Sequence, residues 1–429
     1  MVKTIESGYP KTFRETETAL VFSALKSNYS LELVGMKRVG ISNFLRFLLS
    51  RQQSLADGKE FLFIPVDLND LVERAVFPFW RLTLKRIVDA VVDSKADEVL
   101  KEKLSHLLGN AIQSKDLFLT YDAVREALVE ITEAGLKPVV FFIRFDRLKA
   151  VITADLYNNL KGLRDACGQN LNYVFTAFRP LSSIAPYVFG RATFTGFTKV
   201  VYIKPLSFPD FTSLVAIHAA RYGIRITAAV NKWLYQITGG HVHYVLLCLI
   251  VMQENKQNLT AKTKLFAMFN KDERINMESE ELFSSLDESE QNLVLKIAAK
   301  KPVRIGSGGY LTQTAMVSGK PSAIFSPFFS DYLADISLRQ QQSPATLTRK
   351  ENILYGLLME KENTIVSREE LALGIWPEYK EIGVSDWSID RLVSRLRSKL
   401  KQMSPEFQIK TIRTRGFKLQ KAYILGLRA

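Results

Sequence analysis

Two periodicities organise the chain. Short, nearly continuous apolar runs rich in Val, Ile and Phe fall at residues 30–34, 61–66, 138–143, 171–176 and 200–203. Runs of that length and composition predict strands covered on both faces, as in a parallel sheet. Between them the apolar positions take the spacing of helices, notably at 41–51, 78–92, 122–133 and 154–167. Strand and helix in alternation predict an α/β domain. From about 209 to 271 the pattern is helical throughout, interrupted at Gly239-Gly240. A smaller unit follows at about 282–336, with two helical runs and a glycine-rich turn at Gly306 to Gly309. The polar stretch RQQQSP at 339–344 then reads as a linker to a last domain. No internal repeat is visible, unless the last two units count as two distant copies of one fold.

Composition narrows the classes. At 47% hydrophobic and 24% charged, the 429 residues can fill several cores and do not have the balance of a disordered chain. Cys167 and Cys248 lie far apart and form no metal-ligand spacing, a usage that suits a reducing compartment. The opening MVKTIESGYPKTFRETE has no apolar signal core, and the most apolar stretch, Val245 to Met252, is too short to span a bilayer. A soluble, cytoplasmic protein without a membrane partner is expected.

Charge is uneven. The net charge is +14, and from Ser385 onward eleven basic residues face three acidic ones, a local +8. A concentrated basic patch suits a polyanion. Residues 385–401, SDWSIDRLVSRLRSKLK, read as a helix with Ser385 as N-cap and Asp386 at the positive end of the dipole. Ile389, Leu392, Val393, Leu396 and Leu400 form one apolar stripe, and Trp387, Arg391, Ser394, Arg395, Ser398 and Lys401 lie opposite. Cations with small hydroxyls on an exposed helix face are what the major groove accepts. In QIKTIRTRGFKL, residues 408–419, Ile409, Ile412 and Phe417 flank a turn at Arg415-Gly416, which reads as a two-stranded wing. Its Thr411, Arg413, Thr414 and Arg415 are suited to phosphate or minor-groove contact. A charged helix face is most often plain solvated surface, but a basic hairpin following directly and the near absence of acids favour nucleic acid.

The ordered pieces LTRKENILYGLL, SREELALGIWP, SDWSIDRLVSRLRSKL and IKTIRTRGFKL resemble the DNA-binding domain of OmpR/PhoB-type response regulators, over about 347–422. The resemblance implies groove-facing roles for Trp387, Ser388, Arg391, Ser394, Arg395 and Arg397. It implies backbone and wing contacts for Trp376, Thr411, Arg413 and Arg415, and head-to-tail homo-oligomers on duplex DNA. Phe417 stands where the family usually has tyrosine, and the family's phosphoacceptor receiver is not found in the chain.

Near the N-terminus, LELVGMKRVGISNFLRFLL places a strand, Gly35, four residues, Gly40 and a helix in the frame of a phosphate-binding loop. Ile41 stands where the loop's lysine belongs, and Ser42 keeps the hydroxyl position for magnesium. Lys37 and Arg38 lie inside the loop, with no reason from spacing to reach the same phosphates. The strand in KPVVFFIRFDRL ends in Ile143 and Arg144 where a metal-binding acid is expected, and Asp146 comes later. Without lysine and acid, phosphoryl transfer loses its main electrostatic support. ATP or ADP with magnesium is the cofactor such a frame would take, through Gly35, Gly40 and Ser42, with binding favoured over hydrolysis and no catalytic residue assigned. IPVDLND, NYVFTAFRPL and ITGGHVHYVL, the last with Val242 for the usual proline, resemble AAA+ ATPases related to origin-recognition proteins and the STAND group. SLDESEQNLVLKIAAK with its following segments resembles the winged helix after such lids.

The fold class expected is thus an α/β P-loop (AAA+-like) domain with helical lid and winged helix, followed by a C-terminal OmpR/PhoB-type winged helix-turn-helix domain. The parts are 1–205, degenerate P-loop α/β; 206–275, lid; 276–338, winged-helix-like; and 345–429, DNA-binding. A DNA-binding transcriptional regulator is the first reading. An active DNA-dependent ATPase of origin-binding or defence type is the alternative, and a scaffold meeting an acidic protein is the third. His106, His218, His241 and His243 form no metal set, and a packing role in the lid suits the close pair. Glu369-Glu370 reads as the start of a helix capped by Ser367, and Phe325, Phe328, Phe329 and Tyr332 as a helix core or, alternatively, a partner surface.

Overall fold

The computed structural model describes residues 5–51, 61–189, 197–255, 262–303, 306, 308–319, 321–342, 347–376, 386–412 and 415–421. The chain forms two compact units, Met1–Leu333 and Ala334–Ala429.

In the first unit α1 (Glu15–Lys26) leads into β1 (Ser30–Gly35), and a glycine-bearing loop joins β1 to α2 (Ile41–Ser50). β2 (Phe61–Asp67) is followed by α3 (Val76–Val92), α4 (Glu98–Ser114) and α5 (Leu117–Glu133), then β3 (Lys137–Ile143). After α6 (Ala154–Ala166) come β4 (Asn172–Ala177), the single turns α7 (Leu181–Ile184) and α8 (Pro186–Phe189), and β5 (Thr198–Ile203). The strands pair in parallel, in the order β2-β3-β4-β1-β5. Side chains of a strand point alternately to the two faces, and in β3 both sets are apolar. In β3, Val139 and Phe141 join the core on one face, while Val140 and Phe142 join the core on the other. The five expected strands are present with ends shifted by at most two residues. α4 was not singled out by the pattern, because only Leu100, Leu104 and Ala111 of its residues are buried.

The helical stretch is α9 (Phe208–Tyr222), α10 (Ala228–Thr238), α11 (Val242–Glu254) and α12 (Lys262–Lys271). The break falls at Gly239 and Gly240 because both have positive φ and no room for a side chain. A Cβ on Gly239 would lie 2.1 Å from the carbonyl oxygen of Phe325, and one on Gly240 2.4 Å from that of Leu206. α13 (Glu273–Ser284), α14 (Glu288–Ala298) and α15 (Tyr310–Gln313) precede the short antiparallel pair β6 (Val317–Ser318) and β7 (Ala323–Ile324), and then α16 (Pro327–Gln342). Phe328 and Phe329 are buried, with Phe325 and Tyr332 packed partly buried against the same core. α16 runs to Gln342, so residues 339–342 of the expected linker are helical. Leu, Arg and Gln are good helix formers, which polarity alone had hidden.

Sheet order, a glycine-bearing loop between the central β1 and α2, and the helices that follow make the first unit a parallel α/β domain with a helical extension that ends in a short antiparallel strand pair and α16. The second unit comprises α17 (Arg349–Glu360), α18 (Arg368–Ile375), α19 (Asp386–Met403), and the hairpin β8 (Phe407–Ile412) and β9 (Gly416–Lys421). Val366 adds a bridge to Phe417. Its core includes Leu354, Leu371, Trp376, Leu396 and Phe417.

Candidate nucleic-acid interface and phosphate loop

The second unit is built around local signals. Thr348 and Glu351 form a reciprocal capping box on α17, and Ser367 caps α18 by accepting from the backbone N–H of Glu370 at 3.1 Å. The start of α19 at Ser385 lies outside the described residues. Ile389, Leu392, Val393, Leu396 and Leu400 are all buried, so the apolar stripe pins α19 to the core.

At about 100° per residue, the remaining positions of α19 divide into a pole and two flanks. Arg391, Ser394 and Ser398 lie opposite the stripe; Ser394 and Ser398 are exposed and Arg391 is half-buried. Trp387 shares that pole by helix angle, but its side chain lies outside the described residues. Ser388, Arg395 and Lys399 share one flank and are half-buried. Lys399 Nζ lies 2.6 Å from a Glu351 carboxylate oxygen, and Arg395 Nε lies 3.8 Å from the other. Arg397 lies on the opposite flank. Its Nε donates to the Ile409 carbonyl at 2.9 Å and its terminal nitrogen to Thr411 Oγ1 at 2.7 Å. The structure therefore places Arg397, expected in the groove, as a brace between α19 and the wing, because it lies only about 80° round the helix from Ile389. Trp376, expected at the backbone, is a core residue 5% exposed, with Lys350 over its ring. It is the C-cap of α18 and packs into the core of the second unit. Thr411 and Arg415 are exposed on the wing; Arg413 and Thr414 lie outside the described residues. Arg368 ties α18 to α19 through Asp390 at 2.6 Å.

In the first unit Gly35 ends β1 and Gly40 immediately precedes α2. Both glycines are required by packing alone. A Cβ on Gly35 would lie 2.8 Å from the Ile203 carbonyl oxygen; Gly40 has φ 109°, and a Cβ there would lie 2.6 Å from Val242 Cγ2. Ile41 packs partly buried against the core, and Ser42 is half-buried in the first turn of α2. The loop's cations turn to α13. Arg38 reaches Glu278 at 2.8 Å and Glu281 at 3.1 Å, and Lys37 lies 3.8 Å from Glu281. His243 Nδ1 lies 2.5 Å from Glu278, and His241 Nε2 lies 2.8 Å from the Lys37 carbonyl. Burial works to raise the pKa of Glu278, but its hydrogen bond to His243 and the charges of His243, His241 and Arg38 hold it down to about 2. Burial pushes His241 down to about 4. The close histidine pair thus fastens lid to loop.

Arg144 stands just past the end of β3, at φ 62°, with its N–H donating to Thr176 Oγ1 at 2.8 Å. Its guanidinium meets both carboxylate oxygens of Asp67, at the end of β2, at 2.5 Å. Asp146, beyond it, has its pKa raised by burial. Sequence reading missed Arg14, a fully buried arginine that donates to the carbonyls of Val39 and Lys204 and to Glu17. Nothing in its local pattern marks it as interior. Among the described residues, no three His, Cys, Asp or Glu side chains are grouped to hold a metal ion, and no helix is long and apolar enough to cross a membrane.

A recognition-type helix pinned by one face, with a hairpin wing beside it, defines the second unit as a winged-helix DNA-binding domain. It is of transcriptional-regulator type: residues 341–419 match the family described as transcriptional regulatory protein, C terminal. The chain is 33% identical over 92 residues to response regulator protein GraR of Staphylococcus haemolyticus, covering 21% of this chain and 40% of that one. It is 27% identical over 89 residues to transcriptional regulatory protein YxdJ of Bacillus subtilis, covering 21% and 38%. The chain thus spans about two fifths of these relatives. Among solved structures, a Walker-type ATPase of Pyrococcus abyssi is similar at 14% identity and TM-score 0.49, over 77% of this chain and 100% of that one. The Aeropyrum pernix ORC1 protein in complex with DNA is similar at 11% identity and TM-score 0.38, over 98% and 93%.

Proposed function

We propose that the protein is a sequence-specific duplex-DNA-binding transcriptional regulator of the cytoplasm, whose P-loop-type unit senses a signal or assembles protomers without turning over ATP. The observation that carries the reading is α19, pinned inward by five buried apolar residues, with exposed Ser394 and Ser398 and half-buried Arg391 on the opposite side, in the same unit as a basic wing. Serine and arginine at that pole suit base edges, and Thr411, Arg413 and Arg415 suit phosphates. The four-part division at 205, 275 and 338, and homo-oligomers on repeated sites, belong to the same proposal.

The silent ATPase is argued from charge. Magnesium chemistry at the end of β3 needs a carboxylate, and Arg144 stands there already paired with Asp67. The loop position that should supply a phosphate-neutralising lysine is Ile41, packed against the core. These residues do not fit metal-assisted phosphoryl transfer.

Selection of bound fragments from a random duplex pool tests the DNA reading. The expected result is an enriched motif, with Arg395→Ala relaxing base preference and Arg413→Ala weakening all duplexes alike. Unchanged affinity of both variants at moderate salt would falsify the contact assignment. Phosphate release from ATP with and without DNA tests the other half. Turnover that vanishes in Ser42→Ala would install the DNA-dependent ATPase reading instead.

A further inference from the structure

Glu351 belongs to a helix that carries no residue so far assigned to DNA, yet its carboxylate pairs with the basic flank of α19. Its side chain is 1% exposed. One oxygen accepts from its own capping-box partner, the Thr348 backbone N–H, at 2.7 Å, and from Lys399 Nζ at 2.6 Å; the other faces Arg395 Nε at 3.8 Å. Arg395 and Lys399 are four residues apart, one turn of α19, so a single buried charge addresses two successive cations on one flank of that helix. The Nε edge of Arg395 faces Glu351 while a third of the side chain stays exposed. A long arginine loses much rotamer freedom when it binds a base edge, and a fixed guanidinium has less to lose.

We propose that Glu351 is a positioning residue for base discrimination: from the first turn of α17 it aims Arg395 on α19. The role rests on the reading that α19 enters duplex DNA. Glu351 also cannot be replaced freely for local reasons, since it closes the α17 cap. Glutamine serves equally well at that capping position, so Glu351→Gln removes the charge and keeps the cap.

The full chain is measured against the duplex enriched from the random pool and against its single-base-pair variants. Glu351→Gln is expected to shrink discrimination at the pair read by Arg395 about fivefold, within the range one pair commands. Affinity for unrelated duplex is expected to hold or rise, because a negative charge has left the face. In Arg395→Ala the same Glu351→Gln change is expected to have no further effect on discrimination. Lys399→Gln, which leaves Glu351 with Arg395 and its capping-box contact to Thr348, is expected to lower affinity for every duplex and to keep the discrimination. Loss by one common factor on all duplexes in Glu351→Gln would assign Glu351 to packing alone and overturn the proposal. Equal loss of discrimination in Lys399→Gln would do the same. A pool that yields no motif removes the DNA-reading role itself and this residue's part in it.

Discussion

At Gly416 the backbone stands at φ 137°, and a Cβ there would lie 2.0 Å from the carbonyl oxygen of Val366. The second wing strand can begin at that point only with glycine. Gly416→Ala is expected to destabilise the second unit by about 1–3 kcal/mol, seen as a lower melting temperature of that unit; an unaltered melting curve would contradict the close approach. His241 offers a pH-dependent counterpart in the first unit. It caps α11, is fully buried, and burial lowers its pKa from 6.5 to about 4. The unfolded chain therefore takes up a proton that the folded chain refuses. The stabilisation is complete above pH 6.5 and is lost as pH falls toward 4. Glu278, depressed from 4.5 to about 2, acts in the same direction lower down. Denaturant midpoints of the first unit should decline across that acid range, and His241→Asn, which keeps a capping side chain, should flatten the upper part of the decline.

α19 is the element on which sequence and structure agree most closely, and also where they part. Its apolar stripe was legible because five buried positions repeat at helical spacing within one segment. Arg391, Ser394 and Ser398 oppose the stripe as the same count expects, Arg395 lies on a flank instead, and the side chains of Trp387 and Lys401 lie outside the described residues. Helical angle does not reveal what covers each flank. Arg397 is hydrogen-bonded to β8 and Arg395 lies within ion-pair distance of α17, partners that are distant in sequence, so neither contact could be read from spacing. The threonine and glutamate of LTRKE announced a cap, but the second duty of Glu351 is tertiary. The phosphate-loop frame was equally legible, whereas the pressure of Val242 and Ile203 on its glycines was not, because both come from other elements. On the wing, Arg415 is exposed and lies off α19. Arg415→Ala should reduce the slope of log affinity against log salt by about one, with base preference intact; a changed motif would move Arg415 from phosphate to base contact.

The whole molecule joins a parallel α/β unit to a transcriptional-regulator-type DNA-binding unit. Fold class was visible from alternation and from two ordered motif sets, because both depend on segments shorter than a domain. Arg14 escaped, since a buried arginine carries no periodic signature and declares itself only through the carbonyls and carboxylate that surround it; Arg144 was legible by position, but not its pairing with Asp67, which lies on another strand. If the first unit is catalytically silent, phosphate release stays at the level of the protein-free blank with or without duplex, and Ser42→Ala changes nothing. Release stimulated by DNA would reverse that reading.

The Arg144–Asp67 pair gives the molecule a tethered counter-ion at the mouth of its sheet. A protein that leans on a dissolved divalent ion loses rigidity when a chelator strips it away. Here the positive partner is covalently part of the chain and cannot be titrated off, so unfolding of the first unit should trace the same curve in chelator as in millimolar-range magnesium, and the protein should be indifferent to swings in the free-magnesium pool.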